Sequence, residues 1–148
     1  MDDAPITGTD FEYFAHFMES GDFNFRSRLD IVAASGAGDY SVGIASGSST
    51  AEAVTASSFN FGDVVGVTLE FDLDTGIGSA IVGGETISGT SALLGETLNR
   101  FALRQSNSSS DETIKVDNLR IVGAVIPEPG SLGILAVVAG IGFIRRRK

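Results

Sequence analysis

Between Val65 and Asp74 the chain alternates strictly. Val65, Val67, Leu69, Phe71 and Leu73 fall on one side, and Gly66, Thr68, Glu70, Asp72 and Asp74 on the other. Period two over ten residues predicts a half-buried β-strand, because a helix would thread those carboxylates through its apolar stripe. Asp74-Thr75-Gly76 supplies turn chemistry, and Ile77 to Val82 can return as the hairpin partner. The run from Phe23 to Ile31 alternates too, with Phe23, Phe25, Leu29 and Ile31 on one face and Asn24, Arg26, Arg28 and Asp30 on the other. Further strands are predicted at Phe11–Met18, Tyr40–Ala45, Asn99–Arg104 and Thr113–Val122, whereas Ala51 to Ala56 is ambiguous. In the last of these the phase slips at Asp117-Asn118, which predicts a β-bulge. Gln105 to Glu112 is a serine-rich solvated loop, and the glycine pairs Gly36/Gly38 and Gly83-Gly84 are turns. Short strands, glycine-rich turns and no amphipathic helix predict an all-β fold, an antiparallel β-sandwich.

The pattern changes at Val125. Pro127-Glu128-Pro129-Gly130 breaks any ladder, since two prolines remove donors and hold the backbone extended. From Ser131 to Ile144 every residue is apolar or small, including Leu132, Ile134, Leu135, Val137, Val138, Ile141, Phe143 and Ile144, and then Arg145, Arg146, Arg147 and Lys148 end the chain. As a helix this apolar stretch spans about 21 Å, short of the roughly 20 residues of a full membrane span. Snorkelling of the terminal cations extends its reach. Those cations belong on the cytoplasmic side, which places everything before Pro127 outside. A buried core helix would have a polar face, and this segment has none. The expected division is therefore a β-sandwich over 1–123, a Pro/Gly linker over 124–130 and a C-terminal membrane helix over 131–148.

Composition adjusts this picture. The chain has no cysteine, which removes thiolate metal sites, cysteine nucleophiles and disulfide staples. Four of its ten basic residues are the terminal cluster, so six basic residues face nineteen acidic ones over the rest, a net of −13. A surface that acidic repels nucleic acid and anionic lipid, so no nucleic-acid partner is expected.

Pro127-Glu128-Pro129, the short apolar helix and the terminal arginine cluster together resemble the PEP-CTERM sorting signal of Gram-negative bacteria. The resemblance implies recognition and processing by an exosortase, a membrane-embedded transpeptidase-like protease. It also implies passage through the cytoplasmic membrane to the cell surface or beyond, where exopolysaccharide is a candidate partner. Proteins of this kind begin with a signal peptide. Met1 to Pro5 has neither a basic region nor an apolar one, so the expectation is a true start upstream of Met1. Two body segments, Val67 to Gly76 and Ile114 to Ile121, resemble late strands of concanavalin-like or laminin-G-like jelly rolls, a fold that hosts lectins, adhesion modules and glucanases alike.

Three chemistries follow from single residues. Glu70, Asp72 and Asp74 are carboxylates at two-residue steps of about 6.5 Å. Such an array resembles the E-x-D-x-E of jelly-roll glucanases and defines a secreted glycan hydrolase using Glu70 and Asp72 as the alternative function. The chain has no tryptophan for a sugar platform, so a solvated outer face is preferred. Asp72 and Asp74, with Asp117 or Asn118, could hold calcium, but Gly83 stands where an EF-hand loop needs glutamate. No other cofactor is expected. His16, the only histidine, lies among Phe11, Tyr13, Phe14 and Phe17 and is expected to pack rather than catalyse. No nucleophile elbow, phosphate loop or zinc spacing is present. The expected function is non-enzymatic, an envelope or matrix protein whose body is an interaction or glycan-binding module.

Overall fold

The structure, a computed structural model, describes residues 6–19, 25–90, 98–104 and 114–123. It divides into two units, 1–114 and 115–148. All regular structure described lies in the first. Eight strands follow in order: β1 (Phe11–Glu19), β2 (Phe25–Ala33), β3 (Tyr40–Ala45), β4 (Ala53–Val54), β5 (Val67–Asp72), β6 (Ile77–Val82), β7 (Glu85–Ser88) and β8 (Leu98–Leu103). They form two antiparallel sheets, β4-β3-β2-β1-β8 and β5-β6-β7. The described residues contain no helix. The expected membrane helix and its Pro/Gly linker lie outside the described residues.

The smaller sheet is a meander, β5-β6-β7, whereas in the larger sheet β1 to β4 neighbour one another in sequence order and β8 returns from the other sheet to pair with β1. Gly83 and Gly84, with φ of 58° and 90°, make the two-residue turn between β6 and β7, the conformation a twisted hairpin requires and side chains resist. At the β5–β6 turn Asp72 Oδ1 accepts from the amides of Asp74 and Thr75 at 2.8 and 3.2 Å, and Gly76 has φ of 67°.

The core lies between the sheets. Ala15, Leu29, Val42 and Ile44 of the larger sheet meet Ala80, Val82 and Ile87 of the smaller. Leu29 pairs with Ile44 across β2 and β3, so the apolar positions of neighbouring strands reach the same side. Two carboxylates fasten loops across the sandwich. Glu85 accepts from the amides of Ala56 and Ser57 at 2.6 and 3.0 Å. Glu52 accepts from Gly47, Ser48 and Thr90.

Three expectations need correction. In β2 the polar positions were to face water, yet Arg26 and Arg28 are buried and Asp30 is wholly so. The turn after β3 covers Arg28 by accepting its Nη2 at Ser49 O, 3.0 Å, while Ala51 lies against Gly43. Nor do Phe25 and Leu29 share a face. Ser27 has φ of 47° and is skipped in the pairing of β2 with β1, so the strand changes phase there. Finally, Ile114 to Gly123 form no strand. Asn118 has φ of 54°, outside strand geometry, and its amide bonds Asp117 Oδ1 at 2.8 Å. A strand exists only where an edge supplies its ladder, and alternation alone does not provide one.

The Ser27 bulge also explains a glycine. Ser27 Oγ donates to Glu70 O at 3.1 Å, and Gly78 N donates to Ser46 Oγ at 3.0 Å. A Cβ on Gly78 would fall on both serine oxygens, closer than real Cβ atoms sit. Gly78→Ala should therefore destabilise the fold by about 1–3 kcal/mol through overpacking, read as a lower urea midpoint, whereas exposed Gly84→Asn should change it by less.

Candidate functional sites

The β5 carboxylates stand on the outer face of the smaller sheet. Pairing sets three rows across it: Thr68–Ile81–Thr86, Glu70–Ser79–Ser88 and Asp72–Ile77. Glu70 and Asp72 are exposed on one face as the alternation predicts, and Asp74 sits in the turn beyond. No aromatic ring belongs to these rows. The Asp72 carboxyl is committed to the turn, whose Asp74 and Thr75 amides hold its pKa below the usual aspartate value. For calcium, the described residues contain no group of three or more His, Asp or Glu placed to share an ion. Asp117 and Asn118 lie in the separate unit.

A second constellation forms on the outer face of the larger sheet. Tyr13 pairs with Asp30, and after a bulge at Phe14, His16 pairs with Arg28. Arg28 donates to both Asp30 oxygens, Nε at 2.6 Å and Nη2 at 2.9 Å, a planar two-point match with a carboxylate. Its guanidinium also lies 5.1 Å from the Phe11 ring centroid and 5.4 Å from that of Tyr13. Burial pushes the Asp30 carboxyl up while the Arg28 bonds and charge pull it down.

His16 is fully buried beside this pair. Its ring is 4.3 Å from Phe25 and 5.8 Å from Tyr13, so it packs among aromatics as expected, though Phe25 arrives only through the Ser27 bulge. Neither ring nitrogen has a hydrogen-bond partner among the described residues. Burial, and then the charges of Arg104 and Arg28, lower its pKa from 6.5 to about 4. Arg104 itself lies over Tyr13 at 5.8 Å. On the core side of the sheet, the fully buried Glu12 carboxylate likewise has no hydrogen-bond partner among the described residues. The sequence carried one signal for this cluster, three basic or histidine positions beside aromatic ones. Two bulges scrambled its spacing.

Comparison with known proteins marks a different part of the chain. Residues 125–148 match the PEP-CTERM protein-sorting motif. The chain therefore carries a sorting tail, and the motif implies export, membrane-anchored transit and processing by an exosortase. No curated protein and no solved structure matches the chain. Pro127, Glu128, Pro129, the apolar residues and Arg145 to Lys148 all lie within the matched span and outside the described residues. Among the described residues no helix is long and apolar enough to cross a membrane.

The buried groups make two predictions. Asp30→Asn leaves the Arg28 charge buried without its counter-ion and should cost about 3–5 kcal/mol, while the double change Arg28→Met/Asp30→Leu should cost less. Urea unfolding of both variants measures the difference. His16 has a folded pKa below its unfolded one, so unfolding takes up a proton between pH 6.5 and about 4. Its contribution is complete above pH 6.5 and is lost as pH falls through that window. Below about pH 4.5 the depressed carboxyls of Glu52 and Glu85 add their own loss. His16→Phe should flatten stability between pH 6.5 and 5; an unchanged slope there would assign the proton uptake to another group.

Proposed function

We propose that this chain is a non-enzymatic exported protein of the Gram-negative cell envelope or extracellular matrix. Its sorting tail directs it outward, and a concanavalin- or laminin-G-like jelly-roll body serves as an interaction or glycan-binding module. The observation that carries the reading is the sorting motif over residues 125–148. The two-sheet antiparallel body supports it, since such a sandwich presents broad faces and needs no disulfide. So does the state of the β5 carboxylates. Asp72 is held by its own turn, and the Glu70 row offers no ring for a sugar to stack on.

The terminal segment acts in three parts. Pro127, Glu128 and Pro129 are the part an exosortase would read. The apolar stretch from Leu132 to Ile144 delays the chain in the bilayer. Arg145 to Lys148 stay on the cytoplasmic side and fix its orientation.

A fusion of residues 125–148 to a periplasmic reporter tests this. In cells with an exosortase the reporter should be shortened at its C-terminus, and Pro127→Ala/Glu128→Ala/Pro129→Ala should leave it full length in the membrane. Equal processing of both fusions would remove the motif from the mechanism.

A further inference from the structure

We infer that the outer face of the larger sheet, where Arg100 and Arg104 of the β8 end flank Tyr13 and Phe25, binds an acidic polysaccharide through its sugar carboxylates. The inference rests on the envelope location proposed above and names the ligand class for the body.

The first argument is the placement of charge. Outside the terminal cluster the chain has six basic residues against nineteen acidic ones. Three of those six share one face. His16 pairs with Arg28 on one side and Ala102 on the other, and Met18 pairs with Arg100, so Arg28, Arg100 and Arg104 project together from β2 and β8. Arg28 is neutralised by Asp30. Arg100 and Arg104 are exposed, and neither forms an ion pair among the described residues. The result is a cationic island on an acidic body, with two arginines four residues apart along an extended strand, about 13 Å.

The second argument is what lies between them. Tyr13 and Phe25 are half-buried, with ring centroids 5.5 Å apart and rings tilted by 43°. Partly exposed aromatic rings offer apolar faces to the C–H side of a pyranose, while guanidinium groups bind carboxylates in a planar two-point contact. His16 packs against both rings, its centroid 4.3 Å from that of Phe25 and 5.8 Å from that of Tyr13, and has no exposed surface of its own.

The third argument selects the polyanion. The net charge of −13 before the terminal cluster repels a continuous phosphate backbone or an anionic bilayer approaching over a wide front. A flexible carboxylated sugar chain can bring a few of its carboxylates to a small island without laying the rest of its length along the acidic surface. It is also a polyanion that an exported body can meet outside the cell.

The test uses the full chain in mild detergent, with alginate, dextran, duplex DNA and anionic vesicles as probes. Alginate should bind and dextran should not, and added salt should weaken the binding. Arg100→Gln/Arg104→Gln should lower alginate affinity about tenfold or more, with an unchanged circular dichroism spectrum and melting point. Arg120→Gln, in the separate unit, should leave it unaltered. The four terminal cations are present in every variant, so the difference between variants reads the face alone. Equal alginate affinity in the double variant overturns the inference, as does equal arginine-dependent capture of DNA or vesicles. Binding of neutral glycans that survives the double variant also overturns it, yet leaves the glycan-binding body standing. No binding to any glycan rejects both.

Discussion

A charged pair buried in the middle strand of the larger sheet is the constraint around which this body is organised. β2 has neighbours on both edges, β1 and β3, and carries Arg28 and Asp30 on its outer side. Burying either ion alone would cost several kcal/mol, so each needs the other and further polar contacts. The surroundings supply them. Ser49 O accepts from Arg28, Phe11 and Tyr13 place ring faces over it, and the turn after β3 shields the pair from water. The Ser27 bulge brings Phe25 to this side, against His16, while Leu29 is left to the core. One polar decision in β2 thus shapes both faces of the sheet.

Much of this was legible from periodicity. Tyr40–Ala45 and Ile77–Val82 have the predicted ends, and β1, β5 and β8 differ by a residue or two. The alternation of Val65 to Leu73 against Glu70 and Asp72 describes the real faces of β5. What failed has physical causes. A bulge displaces one residue, and period-two reading then assigns every later side chain to the wrong face, as happened between Phe25 and Leu29. β7 was missed because Glu85 to Ser88 is too short to show a period. Gly83-Gly84, read simply as a turn, was the available sign of a return strand. The stretch from Ile114 to Val122 has the alternation of a strand but no ladder, because hydrogen-bonded neighbours are a tertiary property.

Function was legible in a different way. The sorting tail is readable because its constraints are linear: breaker, apolar stretch and cations must follow in order for a membrane protease to meet them. Its match over residues 125–148 came from that order. The proposed binding face has no such linear form. Tyr13, Phe25, Arg28, Arg100 and Arg104 come from three strands and two bulges, so their proximity exists only after pairing. The β5 carboxylates show the converse. Glu70, Asp72 and Asp74 form a suggestive string in sequence, yet the fold commits Asp72 to a turn and surrounds Glu70 with serines.

Address and body are therefore separable in physical terms. The tail carries the sorting motif, through hydrophobicity and charge asymmetry, and the sandwich carries the face proposed to meet a ligand. The most direct measurement on this account is the intact mass and C-terminal peptide of the mature protein from fractionated native cells. A chain ending near Pro127-Glu128-Pro129, recovered outside the cytoplasm, is the predicted result. Recovery of the complete chain through Lys148, soluble in the cytoplasm, would contradict it.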